Sequence, residues 1–424
     1  MKRQASQVMK HAAGNGDKPY MRQGHSASRV IADQVLQEPS IGAFALDIPE
    51  SSAGADLALD IGQLPVSIAA KTNKSSPAPE DAGEAETWRV CVDLSVSVAI
   101  RSVRVNPLLV QTLECLERQS LQPDEVVIAI PADLTPDEQR RWKQLASQSP
   151  LAVRLVEGPR GIISQRENGI YAARTGFVLL LDDDIVLADT ALEVLARTAC
   201  ERDAQCVVPY VPTAFPTGLY KWGAAIFLME VPYAGSGGTK YLPNGGYRYP
   251  SSHLAPGECA ETDGGIGWAI LVNRCWILDH QCTGDYRLQF PDITYPFRED
   301  GAFTYSQKLA GAKMLVVNTG EVRHLGGTTK LDPRRLLWQY EAAMHNNCVY
   351  WYHYFFRYQR GPVTRTISAL SLLWMLIGVH IMALVSSMQC KTLLPLQGLA
   401  QGYSKLIHLI SQGASGHVDT IGHH

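Results

Sequence analysis

From residue 95 onward, short apolar runs alternate with segments whose apolar positions recur every three to four residues. Ser95–Ile100, Glu125–Ile130, Ala152–Val156 and Phe177–Leu181 are brief and rich in β-branched or fully apolar residues, and each reads as a strand. Between them, Leu108, Leu109, Leu113 and Leu116 fall at helical spacing within Pro107–Gln119. Thr135 followed by Pro136 is an N-cap with proline in the first turn, so a helix is expected over Asp137–Gln148. Ile163–Arg174 reads as a helix, Asp189 as the cap of another that runs to Cys200, and Cys206–Val211 as a strand. This alternation predicts an α/β fold whose mostly parallel central sheet is flanked by helices. No internal repeat is present.

Past residue 211 the rhythm breaks. Pro212–Gly257 is rich in Gly, Pro and Tyr and reads as loop. Ile266–Val272 is an apolar run, Arg274–His280 and Glu299–Leu309 read as helices, Lys313–Val317 as a strand, and His324 falls in the loop after it. Residues 1–88 carry no sustained period and are rich in Ala, Ser, Gly, Asp and Gln, so they are expected to be a poorly ordered extension. Within it, Lys71–Glu86 has linker composition, and a short stretch around Ile41–Ile48 could dock as a strand or helix. The expected organisation is an extension (1–88), an α/β domain (89–330) and a C-terminal helical region (331–424).

Composition narrows the function classes. With 46% hydrophobic and 19% charged residues in 424, the chain supports a sizeable core. The net charge is −3 and no stretch is dense in Lys and Arg, which argues against a nucleic-acid partner. Nine cysteines without CxxC spacing fit reduced thiols better than zinc or a disulfide framework. The N-terminus carries no apolar segment of the secretory kind, so the domain is expected to face the cytosol.

Three motifs carry candidate chemistry. Asp182, Asp183 and Asp184 directly end an apolar strand. Adjacent carboxylates repel unless a cation neutralises them, and Mg²⁺ or Mn²⁺ takes one or two carboxylates plus phosphate oxygens. The plain alternative is a solvated acidic turn. Arg298, Glu299 and Asp300 open a helix, where acids serve either the dipole or catalysis. His324 precedes Gly326 and Gly327, and is either a hydrogen-bonded structural histidine or a group that approaches a phosphate or metal.

In that order, over about residues 94–327, these motifs resemble the inverting family 2 glycosyltransferases of the GT-A fold. The family's opening V-S-V-I-I-P-T is matched by Val96–Ser102, with Arg101 in place of proline. Its G-x-x-x-A-R-N-x-G segment is matched by Gly161–Gly169, with Glu167 in place of Asn. The aspartate that commonly ends the second strand is absent from Ile128–Pro131. Gly264–Ala269 resembles the small-residue acceptor-side segment.

The resemblance implies a GT-A-type nucleotide-diphospho-sugar transferase with a divalent metal, Mg²⁺ or Mn²⁺. Asp184, Asp182 and His324 would attend the metal. Arg101, Ser102, Arg160, Arg166, Asp182 and Asp183 would contact a UDP-, dTDP- or GDP-linked donor. Gly265, Gly267, Trp268 and Arg298 would face the acceptor. Asp300 would be the base, with Glu299 beside it. The implied reaction is hexosyl or deoxyhexosyl transfer to a glycan or lipid-linked acceptor in cell-surface polysaccharide synthesis. A nucleotidyltransferase is the rival enzyme reading, but residues 101–107 lack the glycine-rich loop it requires. A catalytically dead binding protein of the same fold is the other alternative.

The C-terminal region adds a surface question. Leu336–Tyr358 is dense in aromatic residues, with His345-Asn346 where many family members have Arg-Asn; it is either an acceptor-side wall or a core helix. Ile367–Cys390 is 24 residues with no charged side chain, long enough as a helix to cross a bilayer. Arg357, Arg360 and Arg365 precede it, which places its start in the cytosol. Membrane association at the cytoplasmic face, peripheral or single-span, is expected, with an interfacial hairpin with Leu393–Ile410 as the alternative.

Overall fold

A computed structural model describes residues 94–212, 218–282, 297–326 and 333–414. The extension over 1–88, including Ile41–Ile48, and Gly327 lie outside them. The strands of the main sheet are β1 (Val96–Arg101), β2 (Glu125–Pro131), β3 (Val153–Gly158), β4 (Phe177–Asp182), β6 (Cys206–Pro209), β10 (Cys259–Glu261), β11 (Ala269–Asn273) and β12 (Met314–Val317). Their spatial order is β10-β12-β6-β11-β4-β1-β2-β3. Strands β1, β2, β3 and β4 run parallel, as do β6 and β12, while β11 is antiparallel to both β4 and β6. Helices α1 (Pro107–Glu117), α2 (Pro136–Gln148), α3 (Ile162–Ala172) and α4 (Ala191–Glu201) connect the parallel strands. The mostly parallel sheet with flanking helices and a helical C-terminus is the α/β architecture expected.

Side-chain alternation along the strands feeds two cores. Val98, Ile100, Ile128, Leu179 and Leu181 face one side, with Leu113, Trp142 and Leu192 from the helices. Val178, Leu180, Val208 and Ile270 face the other, with Phe303 and Tyr350. Each large apolar side chain taken fully from water contributes about 1.5–3 kcal/mol. Buried strands at the sheet centre leave their carboxyl ends as the natural place for a site.

Three local details depart from the sequence reading. The α4 helix is capped at Thr190, with no side-chain hydrogen bond there. Asp189 instead lies 3.6 Å from Arg118 in an ion pair. His324 is not in a loop: it ends a short strand, β13 (Val322–His324), antiparallel to β5 (Ile185–Leu187). The stretch Pro212–Gly257 is more than loop. It carries helix α5 (Gly218–Ile226) and a small sheet of β7 (Glu230–Tyr233), β8 (Lys240–Tyr241) and β9 (Tyr247–Pro250). Strands of two to four residues are too short for a period to show.

Beyond α6 (Arg274–Asp279) and α7 (Glu299–Leu309) come three long helices, α8 (Pro333–Tyr354), α9 (Pro362–Cys390) and α10 (Leu394–Ala414). Met344, Met375, Val379, Ala383 and Leu399 pack into a third core that ties them together. Two aromatic residues of α8 are core: Tyr350 and Tyr354 are buried, and the Tyr350 ring meets Tyr241 and Phe355 edge-on and Tyr354 at a tilt.

Candidate active site

Register explains the acidic end of the site. Arg101 is the Cα partner of Asp182 across the parallel β1–β4 pair, so their side chains emerge together. Arg101 Nη2 donates to Asp182 Oδ2 at 2.9 Å. One residue further on, Ser102 Oγ donates to Asp183. Asp184 turns towards β13, where the His324–Ile185 pairing sets His324 Nε2 at 3.3 Å from Asp184 Oδ2. The backbone closes the same turn, with Leu325 N donating to Asp184 O at 2.8 Å.

Electrostatics follow from crowding. Burial raises the Asp182 carboxyl to about 6, against the pull of the Arg101 guanidinium. Burial also raises Asp184, with His324 opposing and Asp183 adding to the rise. Carboxylates held this way ionise fully once a cation arrives. The residues present fit a divalent ion in that sense. Asp184 and His324 offer one carboxylate and one imidazole side by side, and a hard cation completes its shell with phosphate oxygens and water. Among the described residues no cluster of three His, Cys, Asp or Glu forms a ready-made cage. Asp182 and Asp183 are held by Arg101 and Ser102 and stand beside the pair.

Gly267 and Trp268 tie this acidic end to the proposed base. Strand β11 lies antiparallel to β4, and Asp182 N donates to Trp268 O at 3.0 Å. The Trp268 ring stacks on His324, with centroids 4.9 Å apart. Gly267 N donates to Asp300 Oδ2 at 3.2 Å, and Gly301 N to Asp300 Oδ1 at 2.7 Å. A β-carbon at position 267 would sit 2.8 Å from the Asp300 Cβ, so only glycine permits this approach. Burial raises the Asp300 carboxyl, helped by Glu299 and opposed by the two amides and Arg166.

The arginines divide into two kinds. Arg166 Nη1 donates to Glu299 Oε2 at 2.6 Å, and both side chains are almost wholly buried. Its guanidinium also lies over the Phe303 ring. Arg166 and Glu299 thus bridge α3 to α7, the first directly behind Gly267 and the second directly before Asp300. Arg160 is held by Asp133 at 3.0 Å on an exposed surface. Arg298 takes a left-handed backbone (φ 70°), which is uncommon outside glycine. Its Nε donates to Asn347 Oδ1 at 2.8 Å, and its guanidinium faces Phe297 and Tyr350.

Two cavities lie on either side of the Gly267–Asp300 contact. The smaller, about 220 Å³, is lined by Arg101, Gln165, Arg166, Asp182 and Gly267. The larger, about 510 Å³, is lined by Thr239, Tyr241, Tyr247, Gly265, Arg298 and Asp300. Gly265, Gly267, Arg298 and Asp300 therefore separate or border the two spaces. Sequence reasoning missed Gln165, which is buried and donates to Ser102 O and Ala129 O. It also missed Thr239, Tyr241 and Tyr247, whose short strands left no motif, and Asn347, which braces Arg298.

Residues 97–254 match the family described as "Glycosyl transferase family 2". No curated protein matches the chain. Among solved structures, GalNAc-T7 with UDP, GalNAc and Mn²⁺ aligns at 14% identity and a TM-score of 0.43. That alignment covers 66% of this chain and 55% of GalNAc-T7, so this chain spans about half the length of that relative. S. aureus TarS with UDP-GlcNAc aligns at 13% identity and a TM-score of 0.41, covering 74% of this chain and 80% of TarS. TarS without that donor aligns at 14% identity and a TM-score of 0.38, over 66% of this chain and 70% of that one.

Proposed function

We propose, for a chain whose residues 97–254 are a family 2 glycosyltransferase segment, that it transfers a sugar from a nucleoside-diphosphate donor to an acceptor hydroxyl, inverting the anomeric carbon. The observation that carries this reading is the position of Asp300. Its carboxylate borders the larger cavity and is fixed by Gly267, which lines the smaller one beside Asp182. A donor lying along the acidic end and an acceptor in the larger cavity would meet there.

The acceptor hydroxyl oxygen attacks the anomeric carbon from the Asp300 side. The bond from that carbon to the diphosphate oxygen breaks, and the nucleoside diphosphate leaves. The proton moves from the acceptor to the Asp300 carboxylate, whose raised affinity for protons suits a general base. One displacement leaves the configuration inverted.

Arg101 Nε is buried with no partner among the described residues, which suits a donor oxygen. Asp184 and His324 would hold a divalent cation, whose contribution when bound is to neutralise charge on the departing diphosphate. Glu299 and Arg166 hold the base helix and the Gly267 turn in register. Thr239, Tyr241 and Tyr247 give the larger cavity the mixed apolar and hydroxyl lining that a saccharide acceptor requires. A glycan or lipid-linked acceptor, as in cell-surface polysaccharide synthesis, fits that lining.

The test is nucleotide release from UDP-, dTDP- and GDP-sugars with Mn²⁺ or Mg²⁺ and an acceptor panel. Acceptor-stimulated release that disappears on chelation supports the reading. Pyrophosphate release from a nucleoside triphosphate and a sugar phosphate would overturn it in favour of nucleotidyl transfer. Failure to bind any nucleotide sugar would leave a binding protein of the same fold.

A further inference from the structure

We propose that α9 lies in the plane of an anionic lipid surface and meets it with its outward stripe, without crossing the bilayer. This inference does not depend on the transfer reading. It starts from the helix itself. Pro362–Cys390 has a mean hydropathy of 2.1 over its most apolar stretch, yet only 33% of that stretch is buried in the protein.

At 100° per residue, the two faces separate cleanly. Ser368, Leu372, Met375, Val379 and Ala383 fall on one side and are buried against the rest of the chain. Ile367, Leu370, Leu373, Ile377, Ile381 and Leu384 fall on the other, each 41–60% exposed. A stripe of large apolar side chains this long on a protein surface marks an interaction site.

The inward face is fastened along its length by loops of the α/β domain and by α8. Trp351 Nε1 donates to Ser368 Oγ at 2.8 Å, and Ser368 Oγ to Pro243 O at 2.7 Å. Asn244 Nδ2 donates to Ser371 O at 3.3 Å. At Gly378 the helix comes so close to Phe227 that a β-carbon would lie 2.4 Å from its side chain. Tyr340 Oη donates to Met382 O at 3.0 Å. A helix held by domain loops from residue 368 to residue 378 cannot be surrounded by lipid without dragging those loops into hydrocarbon. Lying in the interface, it buries only the stripe.

Two further observations choose a lipid surface over a second copy of the chain. The stripe continues onto α5: Trp374 Nε1 donates to Ile226 O at 2.7 Å, and Trp222 and Ile226 are both more than half exposed. Tryptophans at the edge of an apolar face favour the headgroup level. Between residues 333 and 414 there are seven basic residues and one acid, Glu341, although the whole chain is net negative. Lys405 neutralises that acid at 2.6 Å. Arg357 and Arg360 stand exposed before the stripe and Lys391 after it. Two copies face to face would oppose these charges; an anionic headgroup layer complements them.

The experiment is flotation of the full-length protein with vesicles of phosphatidylcholine, alone or mixed with phosphatidylglycerol. Binding is expected to the mixed vesicles, falling with salt. Leu373→Glu/Ile377→Glu, placed on the outward stripe, is expected to lower partitioning roughly tenfold or more. Arg357→Gln/Arg360→Gln is expected to lower it about fivefold per charge on mixed vesicles, with little change on neutral ones. The arginine pair keeps the inference testable if the glutamate pair fails to fold. No flotation with either vesicle, or equal flotation of wild type and both variants, would overturn it. So would a dimer in sedimentation that the glutamate pair dissociates while flotation is unchanged, which would assign the stripe to a second copy. Resistance of the chain to alkaline extraction from cell membranes would overturn it in favour of a span.

Discussion

The proposed donor end and the proposed acceptor side of this site are built in opposite ways. The donor end uses strand ends: Arg101, Ser102 and Asp182–Asp184 extend from β1 and β4, and strand register sets who meets whom, parallel for Arg101 with Asp182 and antiparallel for Asp184 with His324. The acceptor side uses pieces borrowed from far apart. Tyr241 and Tyr247 come from two-to-four-residue strands, Gly265 and Gly267 from a turn, Arg298 and Asp300 from a helix start braced by α8. A site on strand ends inherits its precision from the sheet. A site on turns needs struts, and here the buried Arg166–Glu299 pair is the strut. Each variant below asks whether that division is real.

The largest effect is expected at Asp300. Asp300→Asn keeps the size of the side chain and one of the two acceptors for the Gly267 and Gly301 amides, but cannot take the proton. Turnover should fall roughly 10²–10⁴-fold while donor affinity is unchanged. Near-normal turnover in steady-state assays would remove Asp300 from the chemistry and leave the acceptor side without a base.

Next comes the strut. Glu299→Ala strands a guanidinium in the core, and breaking one partner of a buried pair costs about 3–5 kcal/mol. Chemical denaturation should show that loss, and Arg166→Met added to Glu299→Leu should restore much of it. If the double variant recovers stability but not turnover, the pair positions Asp300. If it recovers both, the pair is packing alone.

The C-terminal brace carries a pH signature. Burial, aided by nearby Arg357, lowers His353 to about 4 from an ordinary 6.5. The unfolded chain therefore binds a proton between those values that the folded chain refuses. Stability contributed by neutral His353 is complete above about pH 6.5 and is lost as pH falls towards 4, by about 2 kcal/mol after allowance for partial exposure. His353→Gln should flatten that limb of a plot of Tm against pH. An unchanged limb would place the titrating group elsewhere.

Legibility followed the same division. The parallel half was open to reading because its strands are apolar and its helices carry Leu at helical spacing, and the triple aspartate sat where Phe177–Leu181 had to end. The motifs at Asp300 and His324 were visible as residues but not as geometry. Nothing in Arg298-Glu299-Asp300 says that Glu299 turns inward to Arg166 while Asp300 turns out. That choice is made by α3, whose Arg166 meets both Glu299 and the Phe303 ring one turn further along the same helix. Tyr241, Tyr247 and Asn347 were invisible because tertiary contacts, not local pattern, bring them to the cavity. The aromatic run in α8 was equally compatible with a wall or a core. Burial of Tyr350 and Tyr354 decides for the core.

The smallest effect is expected at Arg160, and it tests the donor end most directly. Sequence resemblance gives this guanidinium a phosphate to hold, as it does Arg166. In the structure Asp133 accepts from Arg160 Nε at 3.2 Å and Nη2 at 3.0 Å, a two-pronged grip on an exposed carboxylate. The Arg160 guanidinium beside Asp133 in turn holds that carboxyl below its ordinary range. Exposed pairs of this kind contribute little to stability, so Arg160→Ala should barely move Tm. Donor affinity, read by titration calorimetry with a nucleoside diphosphate, then separates the two roles. A shift below about twofold leaves Arg160 a surface partner of Asp133. A loss of about tenfold, equivalent to 1.4 kcal/mol, would mean that the arginine exchanges Asp133 for the diphosphate on binding. The donor end would then rely on a movable side chain as well as on strand register, and the contrast with the strutted acceptor side would narrow.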